Sequence, residues 1–475
     1  MSDDTATKTP EQLVAESGAL ELALPRRRAR PALRVVNGTD LSERGVAEVF
    51  ATRHGQELRY CHTTSRWLRW DGSVWRVEET RLAFDYAQRL ANELGETASA
   101  DPRAMATLGR ANFAGGVERL AQANRAFAVT ASVWNTDPML LGTPGGTVDL
   151  RTGKLRTAKP ADLISRAAAV APAERAQCPN WLRFLHDATG GDHDLMRFLQ
   201  RWCGYTLTGD TREQALLFIY GPGGNGKSVF LNTLSGILGD YHSTAAMDAF
   251  TEAGNGKHLA FLAMLAGARM VSAAETEEGR AWAETRIKEM TGGTPVTANF
   301  MRRDPFTFTP AFKLTISGNH KPVLRNVDDA ARRRFNIVPF THKPPRPDPL
   351  LEHKLREEWP AIFRWMIEGC LEWQNDGLRR PAIVLAATEE YFDAQDVFGQ
   401  WTAERCTLDP SMATPPAHLL ADFNAWARRN NEGECSRTRF RGWADRQPGL
   451  RYKTVKGSNF LQGIGLRPLQ REEEG

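Results

Sequence analysis

Gly221, Gly226, Lys227 and Ser228 stand at the spacing of a phosphate-gripping loop, in the run Gly221-Pro222-Gly223-Gly224-Asn225-Gly226-Lys227-Ser228. Glycines here let the backbone curl around a phosphate with its N–H groups turned inward. The lysine can neutralise the outer phosphates of a nucleotide, and the serine hydroxyl can hold Mg²⁺. Leu216 to Tyr220, just before the loop, is apolar enough for a buried strand. Val229 to Leu238 continues as a helix whose positive N-terminal end faces the same anion. A chance glycine turn would lack this framing on both sides. The run therefore implies a nucleoside triphosphate, bound with Mg²⁺ and hydrolysed.

Hydrolysis needs further groups around the loop. An acid at the end of a neighbouring strand positions the metal and the attacking water. Arg269-Met270-Val271-Ser272-Ala273-Ala274-Glu275 supplies a strand ending in Glu275, while Glu277 and Glu278 just beyond it read as surface charge. A polar group at the tip of the strand between loop and acid would sense the γ-phosphate. Phe312 to Ser317 is an apolar strand that leads into Gly318 and Asn319. Taken alone, Gly-Asn would be a turn; its place after that strand gives Asn319 the sensing role. Arg332, Arg333 and Arg334 precede the strand 335–340. An arginine offered to a neighbouring subunit's γ-phosphate speeds hydrolysis by roughly 10³–10⁵. The plainer alternative is surface charge paired with Asp328 and Asp329. Val296 to Phe308 reads as strand, basic tip, strand, with Arg302 and Arg303 placed to grip a nucleic-acid backbone.

The elements that must hold these groups fall into five segments. Residues 1–35 form a polar, then Ala/Pro-rich tail carrying Arg26, Arg27, Arg28 and Arg30. Residues 36–178 form an α+β domain with an Asp-Gly hairpin between Trp67 and Trp75 and a second hairpin near 148–155. The tryptophans would serve packing in preference to base stacking, because Leu68 and Val74 interleave with them. Residues 179–210 read as a helical collar, residues 211–390 as an α/β ATPase domain, and residues 391–475 as a smaller C-terminal domain. The 475-residue chain has net charge +4, from 61 basic and 57 acidic residues, so its total charge neither demands nor excludes a nucleic acid. Six scattered cysteines without C-x-x-C spacing point to a reduced, cytoplasmic protein. No apolar run is long enough to span a membrane.

Together, Gly-Pro-Gly-Gly-Asn-Gly-Lys-Ser, Ser-Ala-Ala-Glu-Thr-Glu-Glu-Gly (272–279), the run from Thr291 to Arg302, Phe-Thr-Pro-Ala-Phe-Lys-Leu (308–314), Gly-Asn-His-Lys-Pro (318–322) and Arg-Arg-Arg-Phe (332–335) resemble one family. They look like the helicase half of phage and plasmid replicative primase–helicases, related to the poxvirus primase–helicase. That family lies in helicase superfamily 3, within the AAA+ P-loop ATPases. Asp-Leu-Arg-Thr-Gly at 149–153 and Gly-Tyr-Thr-Leu-Thr-Gly-Asp at 204–210 extend the likeness upstream.

The resemblance implies ATP as the nucleotide, Lys227 and Ser228 as the Walker A pair, Glu275 as the Walker B acid and Asn319 as the first sensor. It implies Arg302 and Arg303 on a DNA-binding hairpin, and one of Arg333 and Arg334 as a finger acting on the next subunit. It also implies a ring, a homo-hexamer, that moves on single-stranded DNA, and a C-terminal winged helix that touches duplex DNA. A separate primase or replication initiator would be its partner. One departure is that Ala274 stands where many members carry a second acid, which puts metal and base roles on Glu275 alone. The length leaves no room for an upstream polymerase domain, so helicase activity is expected here and primer synthesis is not. The alternative reading is an ATP-switched origin-binding or loading protein without unwinding activity.

Overall fold

The computed structural model describes residues 40–251, 258–275, 281–299, 305–324, 329–344, 346–430, 432–455 and 457–468. Up to residue 129 they form α1 (Glu43–His54), β1 (Leu58–Cys61), β2 (Arg66–Trp70), β3 (Trp75–Val77), α2 (Leu82–Thr97), α3 (Pro102–Leu108), α4 (Ala111–Ala123) and β4 (Ala128–Val129). The chain divides into two compact units. One holds the described residues up to 67 together with 78–129; the other holds 68–77 and everything from 130 onward.

In the first unit α1, α2 and α4 bury Phe50, Leu90, Phe113, Val117 and Phe127 in one core, beside the parallel pair β1–β4. Trp67 belongs to that core. Its indole N–H donates to Glu118 at 3.0 Å and its ring meets Phe127 edge-on, so it is satisfied as a packing residue.

The second unit starts with the hairpin from Leu68 to Val77. Trp75 is fully buried, and its backbone and indole N–H groups donate to Ile164 and Pro160. Strands β5 (Leu140–Thr143), β6 (Gly146–Asp149) and β7 (Lys154–Arg156) form an antiparallel meander. Leu141, Val148 and Leu150 from this segment share a core with Trp181, Phe198 and Phe230. The boundary between the two compact units therefore falls near residue 130. Next come α5 (Pro179–Thr189) and α6 (His193–Thr206), whose apolar faces are also buried in that core. The collar helices are thus an integral layer of this unit.

A five-stranded parallel sheet carries the rest. It contains β8 (Leu216–Tyr220), followed by α7 (Lys227–Leu238), β9 (His242–Thr244), α8 (His258–Leu265) and β10 (Met270–Glu275). After α9 (Glu284–Thr291), the antiparallel hairpin of β11 (Val296–Ala298) and β12 (Phe306–Phe308) precedes β13 (Lys313–Gly318), α10 (Asp329–Arg332) and β14 (Phe335–Pro339). The strand order is β14-β8-β13-β10-β9. Near-continuous apolar strands suit a parallel sheet covered on both faces.

Helices α11 (Leu351–Glu357), α12 (Trp359–Asp376) and α13 (Ala382–Gln395) complete this layer. α6 and α12 touch backbone to backbone: a Cβ added at Gly369 would lie 2.1 Å from the Gln200 carbonyl oxygen. The last elements run α14 (Val397–Arg405), β15 (Cys406–Thr414), α15 (Pro416–Arg429), α16 (Arg437–Ala444), β16 (Arg451–Val455) and β17 (Ser458–Leu466). They enclose their own aromatic core of Phe398, Trp401, Phe423, Trp426, Phe440 and Trp443. Among the described residues no helix is long and apolar enough to cross a membrane.

Candidate nucleotide-binding site

Ligands of open α/β sheets bind outside the carboxyl ends of the strands. The three groups read from the sequence meet at that edge. In the sheet register Gly318 of β13 pairs with Tyr220 of β8 on one side and with Glu275 of β10 on the other. Asn319, the next residue, is exposed at the tip. The phosphate loop, Asn319 and Glu275 thus occupy adjacent strand ends, within about 10 Å of one another at a strand spacing of ~4.8 Å.

Local chemistry shapes the loop. Leu216, Leu217, Phe218 and Ile219 are fully buried, which fixes the strand that launches it. Gly226 has φ +86°, and a Cβ there would lie 2.5 Å from the Phe184 ring of α5. Both the left-handed backbone and the ring demand glycine. Lys227 is buried, and its Nζ donates to the Gly221 carbonyl at 2.6 Å, the Pro222 carbonyl at 3.1 Å and Asn225 Oδ1 at 3.1 Å. Burial first, and the nearby Lys343 charge second, lower its pKa below the usual lysine value. Asn225 is also buried, and its amide donates to the Phe340 carbonyl just past β14. Asn225 thus ties the loop to the neighbouring strand while orienting the lysine. Pro222, Gly223, Gly224 and Ser228 are exposed. Ser228 sits in the first turn of α7, where its hydroxyl can take a place in the shell of a nucleotide-bound Mg²⁺. Among the described residues no group of three or more His, Cys, Asp and Glu is arranged for a metal.

The arginines separate. Arg334 is buried, with Nη1 donating to the Ala330 carbonyl at 2.6 Å and Nη2 to Gln214 Oε1 at 3.1 Å. Arg333 is exposed, and Arg332 pairs with Asp393 at 3.4 Å. Phe335 pairs with Leu216, so this arginine turn lies at the opposite end of the sheet from the loop. Arg333 is roughly 20 Å along the strand direction from Gly221 of its own chain, at ~3.3 Å per residue. Arg302 and Arg303 lie outside the described residues, as do Glu277, Glu278, Asp328 and the tail 1–35; the stem of the hairpin, β11 and β12, is paired as the sequence predicts.

Two cations escaped the sequence reading. Lys321 places Nζ 4.1 Å from the centroid of Tyr220, the residue before the loop. The motif Gly-Asn-His-Lys-Pro contains it, but only Asn319 drew a role. Lys343 follows β14 and acts on Lys227 through space; no local pattern marks it.

Comparison with known proteins covers the chain in two stretches. A domain-family model described as D5 N terminal like matches residues 47–190, and one described as a family of unknown function matches 219–334. A protein of Acanthamoeba polyphaga mimivirus named as a "putative helicase" is 23% identical over 323 residues, covering 62% of this chain and 34% of its own length. This likeness, with the matched N-terminal family model, supports placing the chain with the primase–helicases. A frog virus 3 protein, also helicase-named, is 23% identical over 50% of this chain and 27% of its own length. A primase-named protein of African swine fever virus is 22% identical over 43% of this chain and 23% of its own length. The chain thus spans about a third or less of the length of these viral relatives. Among solved structures, the apo C-terminal region of NrS-1 aligns over 89% of this chain and 100% of its own at 11% identity, with a TM-score of 0.46.

Proposed function

We propose that this chain is an ATP-hydrolysing replicative DNA helicase of superfamily 3, built on an AAA+ P-loop core, that works as a ring on single-stranded DNA in a phage, prophage or plasmid replication system. The observation that carries the reading is the register that sets the phosphate loop, Asn319 and Glu275 on three adjacent strand ends. Lys227 and the loop N–H groups would hold the β- and γ-phosphates, Ser228 and Glu275 would share Mg²⁺, and Glu275 would orient the attacking water. Asn319 would contact the γ-phosphate from the middle strand. The exposed Arg333, too far from its own loop, would act on the next subunit's nucleotide. Viral relatives named as helicases and primases support placing this chemistry in DNA replication.

The test is ATP turnover by purified protein with and without single-stranded DNA, alongside strand separation. The reading requires DNA-stimulated turnover and unwinding, both lost in Lys227→Ala. Glu275→Gln should keep ATP binding and lose hydrolysis. ATP binding with no unwinding in the wild-type protein would leave the switch in place of the motor. Electron microscopy with an ATP analogue and single-stranded DNA checks the ring directly.

A further inference from the structure

Three residues beyond Asn319 the chain leaving β13 meets Tyr391 of α13. The Tyr391 hydroxyl donates to the Pro322 carbonyl and accepts the Trp282 indole N–H at 3.0 Å. Tyr391 and Trp282 are both buried. Trp282 comes seven residues after Glu275. One hydroxyl therefore joins the segments that follow β13 and β10, the two strands whose ends bring Asn319 and Glu275 together.

Neighbouring contacts close the same junction. The Trp282 backbone N–H donates to the Val323 carbonyl at 2.9 Å, and Ala281 forms a parallel bridge with Val323. The Leu324 N–H donates to Gln395 Oε1 at 3.1 Å, one turn along α13 from Tyr391. Lys321 sets its Nζ 4.1 Å from the Tyr220 ring and 5.8 Å from the Tyr391 ring, which extends the junction to β8, the strand that launches the phosphate loop. The Trp282 ring meets Phe218 of β8 at 5.8 Å and Phe335 of β14 at 5.4 Å, so the indole is seated on the sheet. A tyrosine serving packing alone needs one partner for its hydroxyl. This one has two, each on a segment leaving a different strand of the site.

We propose that Tyr391 is a positioning residue for ATP hydrolysis: its hydroxyl holds the segments beyond β13 and β10 together and so sets Asn319 and Glu275 against the γ-phosphate. The inference rests on the proposed ATPase reading for its reaction, whereas the anchoring is a property of the fold. Without the hydroxyl, the Pro322 carbonyl and the Trp282 indole N–H are left unpaired in the core, and the two segments must shift to satisfy them. A shift of about 1 Å in a reacting group can cost roughly 10²-fold in rate. The phosphate loop takes its own geometry from Phe184 behind Gly226 and from Asn225 on the Phe340 carbonyl. Tyr391 therefore bears on turnover more than on ATP binding.

Tyr391→Phe removes the hydroxyl and keeps a ring against Phe335 and Phe392. In the purified full chain its kcat should fall by roughly tenfold or more, while its Kd for a fluorescent ATP analogue stays within about twofold of wild type. Thr388→Val is the control. Thr388 lies one turn earlier on α13, and its hydroxyl accepts from the Ile337 N–H of β14 at 3.1 Å, so its loss weakens the same helix without touching either segment. That variant should melt earlier and keep its kcat. Equal loss of kcat in both variants, at a temperature where both are folded, overturns the proposal; so does an unchanged kcat in Tyr391→Phe beside an active wild type. Hydrogen exchange reads the anchor without turnover: backbone amides in 319–324 should exchange faster in Tyr391→Phe, and those in 216–220 should not. Unchanged exchange in 319–324 overturns the anchor whatever the wild type hydrolyses. Faster exchange there, in a protein whose wild type hydrolyses no ATP, would sink the ATPase reading and leave the anchor standing.

Discussion

Arg334 Nη2 donates to Gln214 Oε1 at 3.1 Å, across the base of the sheet from β14 to the turn before β8. With Nη1 on the Ala330 carbonyl, this guanidinium is committed to its own fold. Its neighbour Arg333 is exposed, and no ion pair holds it among the described residues. Two adjacent arginines of identical chemistry thus have different work.

Arg333→Ala should leave nucleotide affinity nearly intact and reduce turnover by roughly 10³-fold or more, the range of a lost finger. Arg334→Ala should instead lower the melting temperature, because hydrogen bonds to a charged group contribute about 1.5–3 kcal/mol. Mixing Arg333→Ala with Lys227→Ala protein should restore part of the ATPase, since some interfaces then hold both intact halves. No recovery after proven subunit exchange would rule out action across the interface.

Gly226→Ala tests the loop without touching any polar group. The new Cβ meets Phe184 at 2.5 Å and the backbone stays left-handed at φ +86°, a conformation costing a non-glycine residue about 1–2 kcal/mol. Nucleotide affinity should fall by roughly tenfold or more, as 1.4 kcal/mol of distortion alone would produce. Adding Phe184→Ala should recover part of the loss, because it removes the clash and leaves the φ cost. Wild-type affinity in Gly226→Ala, measured by titration with a fluorescent ATP analogue, would contradict the observed loop geometry.

The lowered pKa of Lys227 has a direction in pH. Its amine must be charged to hold phosphates, and it loses that proton at a lower pH than a free lysine. ATP affinity should therefore decline on the alkaline side before an ordinary lysine would titrate. Lys343→Gln removes a like charge, raises the Lys227 pKa and should move that decline to higher pH. An unmoved alkaline limb would mean that burial alone sets the shift.

The parts of this site legible in the sequence are those whose signal is local. The strands expected at 216–220, 269–275, 312–317 and 335–340 are found within about one residue, because strands buried on both faces are written as continuous apolar runs. The edge strand His242–Thr244 is three polar-leaning residues that exist as a strand only through pairing with β10, so nothing local announces it. The 140–156 meander reads as part of the preceding domain until Trp181 and Phe198 are seen packed beneath it. Lys227, Glu275 and Asn319 follow from motif and strand end. Phe184 behind Gly226, and Phe340 holding Asn225, come from distant segments and carry no mark of their task. Arg333 and Arg334 differ only in which side of one turn they leave, which a run of three arginines does not reveal.

The hairpin separates a motor from a switch. β11 and β12 are paired from Val296–Phe308 to Ala298–Phe306, and in the sequence Arg302 and Arg303 come between these two strands. These strands form a sheet of their own, apart from the strand ends that gather Lys227, Asn319 and Glu275. If the two arginines grip DNA, replacing both with alanine should leave DNA-free ATPase close to wild type and remove DNA stimulation and unwinding together. Each lost phosphate contact should also reduce the salt slope of single-strand binding by roughly 0.7, or about 1.4 for the pair. If instead the arginines pair with nearby acids such as Asp304 to hold the turn, the double variant should melt earlier and bind single-stranded DNA as before. ATPase with and without DNA, a salt titration and a melting curve on one protein distinguish these outcomes. Normal unwinding by the double variant would remove this hairpin from the path of the DNA, and pore contacts would then have to come from another element of the ring.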